Sequence, residues 1–182
     1  MSTNDVILVT ENDLEIGVME KMEAHRRGVL HRAFSVFLFD SEGRMLLQQR
    51  SAEKYHGALL WSNTCCSHPY PGEAVEAAAQ RRLQEELGFT TSPEKIFTFT
   101  YRADVENNLV EHEFDHVFAG IYEGEIKPNP HEVAATEYRT METISEQVNE
   151  TPHLFTSWFR IAFPLVEKWW QEAGTRLVNK TV

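Results

Sequence analysis

The sequence predicts an α+β fold, an α/β/α sandwich around a mostly mixed central sheet. Two patterns predict it. Short apolar, β-branched and aromatic runs stand before and after one amphipathic helix, and a further helical stretch closes the chain. The totals fit one packed core. The 182 residues suit a single domain, 1–182, and 42% of them are hydrophobic, unlike a disordered chain. Eleven Phe and four Trp point to an aromatic-lined interior.

Each element has a local reason. Residues 6–9 are a β-branched apolar run and read as a strand; Glu11-Asn12-Asp13 turns the chain, and 16–19 can return as the hairpin partner. Residues 20–27 are charged and read as a helical turn or loop. Residues 29–39 are apolar and aromatic, a core strand. Asp40-Ser41-Glu42-Gly43 makes a hairpin turn, with 45–49 as the answering strand. Trp61-Ser62-Asn63-Thr64-Cys65-Cys66-Ser67-His68-Pro69 carries no periodicity. Its Ser, Asn and Thr favour turns, so it reads as a loop presenting thiol and imidazole together. Residues 73–87 favour helix, with Val75, Ala79, Leu83 and Leu87 on one stripe and Gly88 as the stop. Residues 94–102 alternate as a strand, 104–108 turn, and 109–122 form the longest strand candidate. Lys127-Pro128-Asn129-Pro130 breaks the chain. Residues 135–139 read as a short strand and 142–148 as a short helix. Thr151-Pro152 can cap a last helical stretch, 153–172, which Pro164 must kink or divide. Gly174 ends it, and the tail beyond is expected to fray.

Charge and cysteine usage exclude several classes. Seventeen basic and 28 acidic residues give a net charge of −11, against a nucleic-acid partner but compatible with a small anionic substrate. The two cysteines are adjacent and cannot build a disulfide framework. The N-terminal segment is acidic where a signal peptide is basic, and no apolar run approaches the ~18 residues of a membrane helix. The expectation is a soluble, cytoplasmic protein with no membrane partner.

Three constellations could carry chemistry. If 109–122 is a strand, Glu111, Glu113 and Asp115 share one face, and His112, Phe114, His116 and Phe118 the other. From that segment alone, a solvated face is the simpler reading. His25, His31 and His68, taken with Glu111 and Glu113, would suit a divalent transition metal, although they lie on four separate segments. Arg81 and Glu85, like Arg82 and Glu86, are four apart and can form ordinary surface ion pairs. The alternative is that the glutamate pair presents a carboxylate to Mg²⁺ on a diphosphate. Cys66 fits a functional thiol better than a structural one, because it stands in a polar segment.

These residues resemble a known pattern. Arg81-Arg82-Leu83-Gln84-Glu85-Glu86-Leu87-Gly88-Phe89, with Glu73 upstream, is similar to a Nudix box that has lost parts of its pattern. Ser67 stands where the opening glycine belongs, and Arg82 where a glutamate should follow the arginine. That departure removes a carboxylate from the cluster that holds the hydrolytic metals. Ser62-Asn63-Thr64-Cys65-Cys66-Ser67-His68-Pro69, Glu111-His112-Glu113, Tyr101-Arg102 and the final Ser157-Trp158 together resemble the type 1 isopentenyl-diphosphate Δ-isomerases. The resemblance runs in order over nearly the whole chain, with a Nudix-like core at about 29–163.

The resemblance implies a set of roles. His25, His31, His68, Glu111 and Glu113 match the family's metal ligands, for Mn²⁺, Zn²⁺ or Mg²⁺. Cys66 matches the catalytic thiol and Glu113 its acid–base partner, while Cys65 falls where no thiol is needed. Glu86 matches the ligand of a Mg²⁺ carried by the diphosphate, assisted by the Cys66 carbonyl. Lys21, Arg50, Lys54 and Arg82 match basic residues around the diphosphate, and Tyr101 and Trp158 aromatics near the reacting carbons. The implied substrate is isopentenyl diphosphate, isomerised to dimethylallyl diphosphate through a tertiary carbocation by a monomer or weak homodimer. Two rivals stand beside it: a Nudix hydrolase of a nucleoside diphosphate derivative, and a metal- or diphosphate-binding module without activity.

Overall fold

The apolar run starting at His31 becomes β3 (His31–Phe39), with every residue but Arg32 buried. The structure, a computed structural model, describes residues 4–174, 176 and 177. β3 is the hub of one nine-stranded sheet. It pairs with β1 (Asp5–Val9), whose hairpin partner is β2 (Glu15–Glu20). It pairs in parallel with β8 (Leu109–Ile121) along its whole length, placing His31 opposite Glu113. β7 (Glu94–Val105) covers the far side of β8 antiparallel.

The 45–49 run becomes β4 (Met45–Arg50), but it answers β3 only at Phe39–Met45. The hairpin opens after its turn. β4 leaves to pair with β9 (Val133–Arg139) and the two-residue β5 (Trp61–Ser62). The vacated edge of β3 is taken by β6 (Cys65–Ser67), antiparallel, with Cys66 opposite Ser35. The cysteine stretch is therefore mostly strand rather than loop. Its turn-forming residues are buried and stand in for missing backbone partners. Asn63 Nδ2 donates to the Val36 and Cys65 carbonyls, and Thr64 Oγ1 donates to the Leu46 carbonyl while accepting from the Leu38 N–H.

Helices cover both faces. Phe34, Val36 and Leu38 of β3 pack with Ala78, Ala79, Leu83 and Leu87 of α2 (Val75–Leu87). Phe37 and Phe39 pack on the other side with Ile144 of α3 (Met141–Glu150) and Phe159, Phe163 and Val166 of α4 (Ser157–Trp169). The charged 20–27 segment is a full helix, α1 (Lys21–Arg27), capped by the Glu20 side chain and closed by Gly28 at φ 60°. Pro164 lies inside α4 without dividing it. It sits on the exposed face, so the Arg160 carbonyl that it deprives of a partner can meet water. Thr151 ends α3 rather than capping the last helix, whose N-cap is Thr156. The fraying expected of the tail falls mostly outside the described residues.

Candidate active site

Parallel pairing of β3 with β8, and β6 on the other edge of β3, bring the scattered histidines and carboxylates together. β8 alternates as expected, but the face holding Glu111, Glu113 and Asp115 points inward, and all three are buried. α1 runs directly into β3 and brings His25 beside His31. One ligand atom from each of His25, His31, His68, Glu111 and Glu113 lies within 4.8 Å of the others.

Second contacts fix the tautomers of two rings. His25 Nδ1 is 2.6 Å from the Lys21 carbonyl and His31 Nδ1 is 2.8 Å from the Val29 carbonyl, so each Nδ1 carries the hydrogen and each Nε2 turns a lone pair inward. His31 Nε2 and His68 Nε2 are 3.1 Å apart, and His68 Nε2 is 2.9 Å from Glu113 Oε1. His25 Nε2 and Glu111 Oε2, 3.1 Å apart, are both buried and make no hydrogen bond. Three imidazoles and two carboxylates brought together, with His25 Nε2 and Glu111 Oε2 left without a partner, are the chemistry of a divalent-cation site, and the donor set fits such an ion.

Above this cluster opens a cavity. Lys21, Arg50, Lys54, Arg82, Glu86, Cys66, Tyr101, Trp158, His68, Glu111 and Glu113 all line it, while His25 and His31, fully buried, do not line it and adjoin it only through the other three donors. The two cysteines separate because neighbours on a strand face opposite ways. Cys65 packs into the α2 side of the core, and Cys66 faces the α4 side and the cavity.

Burial sets the proton affinities. It pushes the Cys66 thiol up to about 12, with Arg50 pulling against it and Glu86 and Glu113 reinforcing it. Tyr101 also rises through burial and the Glu113 charge, and its hydroxyl donates to Glu113 Oε2 at 2.6 Å. Burial and the Glu111 charge raise Glu113, but the nearby His31 ring and the hydrogen bond with His68 outweigh them and hold it at about 2. Burial lowers His68 to about 4 despite Glu113. The cavity thus presents a protonated thiol and an ionised carboxylate.

The basic end is organised by acids. Arg82 donates to Glu86 at 2.5 Å, Glu85 at 2.6 Å and Glu132 at 3.2 Å, and Lys54 also pairs with Glu132. Gln48 Nε2 donates to Glu86 Oε2 at 2.9 Å. Arg50 stacks over the Trp158 ring at 5.0 Å. Arg50 Nε and Arg82 Nε are buried donors without a partner, ready for an anion. Trp158 is held by Nε1–H donating to Ser62 Oγ at 3.0 Å.

Several site residues escaped sequence reasoning. His56 lines the cavity with Nε2 2.9 Å from Glu111 Oε1, and Gln48 and Glu132 brace Glu86, Arg82 and Lys54. His56 follows Lys54-Tyr55 in an aperiodic stretch. Only its nearness to a substrate-binding candidate could have marked it.

The NUDIX domain family model matches residues 29–159. An isopentenyl-diphosphate Delta-isomerase of Pectobacterium atrosepticum is 48% identical over 171 residues, covering 94% of this chain and 96% of that protein. Isopentenyl-diphosphate Delta-isomerase 1 of Aromatoleum aromaticum is 49% identical over 174 residues, covering 96% and 98%. Among solved structures, a MutT protein from Methanosarcina mazei superposes with a TM-score of 0.63 at 18% identity, covering 76% of this chain and 94% of that one. At that identity it speaks for the fold alone.

Proposed function

This chain belongs to the isopentenyl-diphosphate Δ-isomerases of the NUDIX superfamily, and we propose that Cys66 and Glu113 carry its proton transfers. The reaction interconverts isopentenyl and dimethylallyl diphosphate. One proton joins the terminal methylene, another leaves the neighbouring allylic carbon, and the positive charge between these events sits on a tertiary carbon. Two acid–base groups facing the same flat substrate are needed. The observation that supports the assignment is that Cys66 and Glu113, on strands flanking β3, open to one cavity. They rest there with one dissociable proton between them, on sulfur.

The surrounding side chains take complementary roles. Tyr101, donating to Glu113, holds the carboxylate toward the substrate and offers a path for its proton. The Trp158 ring face stabilises the carbocation, by about 2 kcal/mol once water is excluded. Lys21, Arg50, Lys54 and Arg82 bind the diphosphate, which does not react, and its binding energy orients the carbons. His25, His31, His68, Glu111 and Glu113 would hold Mn²⁺, Zn²⁺ or Mg²⁺, and Glu86 with the Cys66 carbonyl would hold a Mg²⁺ brought by the diphosphate. Bound there, the ion would fix the Glu113 carboxylate and shift its proton affinity. Hydrolysis of a nucleoside diphosphate derivative is the weaker reading. Arg82 supplies a cation where that chemistry wants a carboxylate, and it pairs with Glu85 as well.

All the lining residues come from one chain, so the assignment needs no second copy, and a monomer or weak homodimer serves it. We further propose a cytoplasmic enzyme with neither nucleic acid nor membrane as partner; among the described residues no helix is long and apolar enough to cross a bilayer. The domain is the whole chain, with its catalytic core at about 29–163. Proton NMR of isopentenyl diphosphate in deuterated water is the test. Wild-type protein is expected to give dimethylallyl diphosphate with deuterium at the methylene-derived methyl, and Cys66→Ala and Glu113→Gln to give neither. Conversion by either variant at the wild-type rate overturns the pair.

A further inference from the structure

His56 stands outside the five donors yet touches one of them. The chain around it is pinned at three consecutive residues. Asn107 Nδ2 donates to the Tyr55 carbonyl at 2.8 Å, Arg50 Nη2 donates to the His56 carbonyl at 3.0 Å, and the Gly57 N–H donates to Glu106 Oε2 at 3.1 Å. Gly57 has φ 58°, and a Cβ there would meet Arg50 and Trp158 at 3.3 and 3.4 Å, so this chain path needs glycine. The His56 ring is buried, edge-on to Trp158 at 5.4 Å and to Tyr55 at 4.5 Å. Its place is therefore fixed by backbone ties and by packing on two aromatic rings.

From that fixed place Nε2 reaches Glu111 Oε1 at 2.9 Å. The other oxygen, Oε2, makes no hydrogen bond and faces the equally unpartnered His25 Nε2. We propose that His56 is a positioning residue, whose Nε2–H holds one oxygen of Glu111 so that the other is aimed, alone, at the metal. The inference rests on the metal reading of the five-donor cluster. A glutamate free at both oxygens can turn its carboxylate or chelate through both; with Oε1 engaged, it offers a single oxygen in a set direction. Outer partners of this kind typically govern metal affinity by 10- to 100-fold. The same ring supports Trp158, and the same segment carries Lys54. One short stretch thus ties the metal carboxylate to both ends of the substrate cavity.

The test is Zn²⁺ affinity, measured on metal-free protein by competition with a chelating indicator. His56→Phe keeps an aromatic edge against Trp158 but loses the donor, and is expected to weaken Zn²⁺ binding by about 10- to 100-fold. His56→Gln, whose amide N–H can reach Glu111, is expected to restore affinity to within about threefold. Should the phenylalanine variant not fold, His56→Asn, too short to reach, takes its place in the comparison. Affinity within twofold of wild type in the donor-less variant overturns the role of His56 and leaves the metal centre standing. Wild-type protein that fails to bind Zn²⁺, Mn²⁺ or Mg²⁺ overturns the centre, and this inference with it.

Discussion

Adjacent cysteines are chemically alike, and only the strand separates them. Cys65 turns to the α2 core and Cys66 to the cavity, so replacing each should have a different cost. Cys66→Ala is expected to lower turnover by at least about 10²- to 10⁴-fold, the usual worth of an acid–base group. Cys65→Ala should keep most activity and lose about 1 kcal/mol of stability through the small void it leaves. Steady-state rates and urea midpoints of the two variants check this, and a dead Cys65→Ala would exchange the assignments. The Cys66 proton affinity gives a second prediction. A thiol pushed up to about 12 holds its proton at neutral pH, so its thiolate grows about tenfold per pH unit on approach to that value. Alkylation of metal-free protein by iodoacetamide, followed by mass spectrometry, should accelerate steadily from pH 7 to 10 at Cys66. A plateau below pH 9 would show that burial does not govern this thiol.

At the scale of elements, local composition foretold most helices and strands, because each has its own periodicity or stop. Pairing was less legible. Nothing in 45–49 says that β4 leaves its hairpin partner, since that depends on the competing edges of β9 and β5. The cysteine stretch was hidden for a related reason: Asn63 and Thr64, turn formers in isolation, use their side chains to complete a buried strand edge. The resemblance supplied candidate site residues that spacing could not, because convergence comes from the parallel β3–β8 register opposing His31 to Glu113. His56 belongs to neither source. The end of α2 was plainer, and Gly88 shows why. It closes α2 at φ 77°, and an added Cβ would sit 2.7 Å from the Lys127 carbonyl oxygen. Gly88→Ala therefore combines a left-handed backbone with a clash against main chain, and should lower stability by more than about 1 kcal/mol. A urea midpoint unchanged in that variant would mean that the 127–129 segment moves away at no cost.

Across the whole molecule, a net charge of −11 is set against a cavity that gathers Lys21, Arg50, Lys54 and Arg82. That arrangement suits a small anion and repels larger ones, and it leaves the buried Glu111 and Glu113 as neighbouring charges beneath the cations. Burial and their mutual repulsion oppose their ionisation, while the imidazoles hold both carboxyls low. A divalent ion added to the five donors stabilises the native state alone, because the unfolded chain scatters them over segments from His25 to Glu113. An ion at about a thousand times its dissociation constant contributes about 4 kcal/mol. In a chain of this size each kcal/mol moves Tm by about 2–4 °C. Removing the metal with a chelator should therefore lower Tm by about 8–16 °C, with circular dichroism unchanged at low temperature because β3, β6 and β8 complete their ladders without it. Adding back the same ion should restore the midpoint. His68→Ala should bind little metal by elemental analysis, and its melting should no longer respond to the chelator. A wild-type Tm indifferent to chelation, in protein that elemental analysis finds loaded, would place the ion outside the His/Glu cluster.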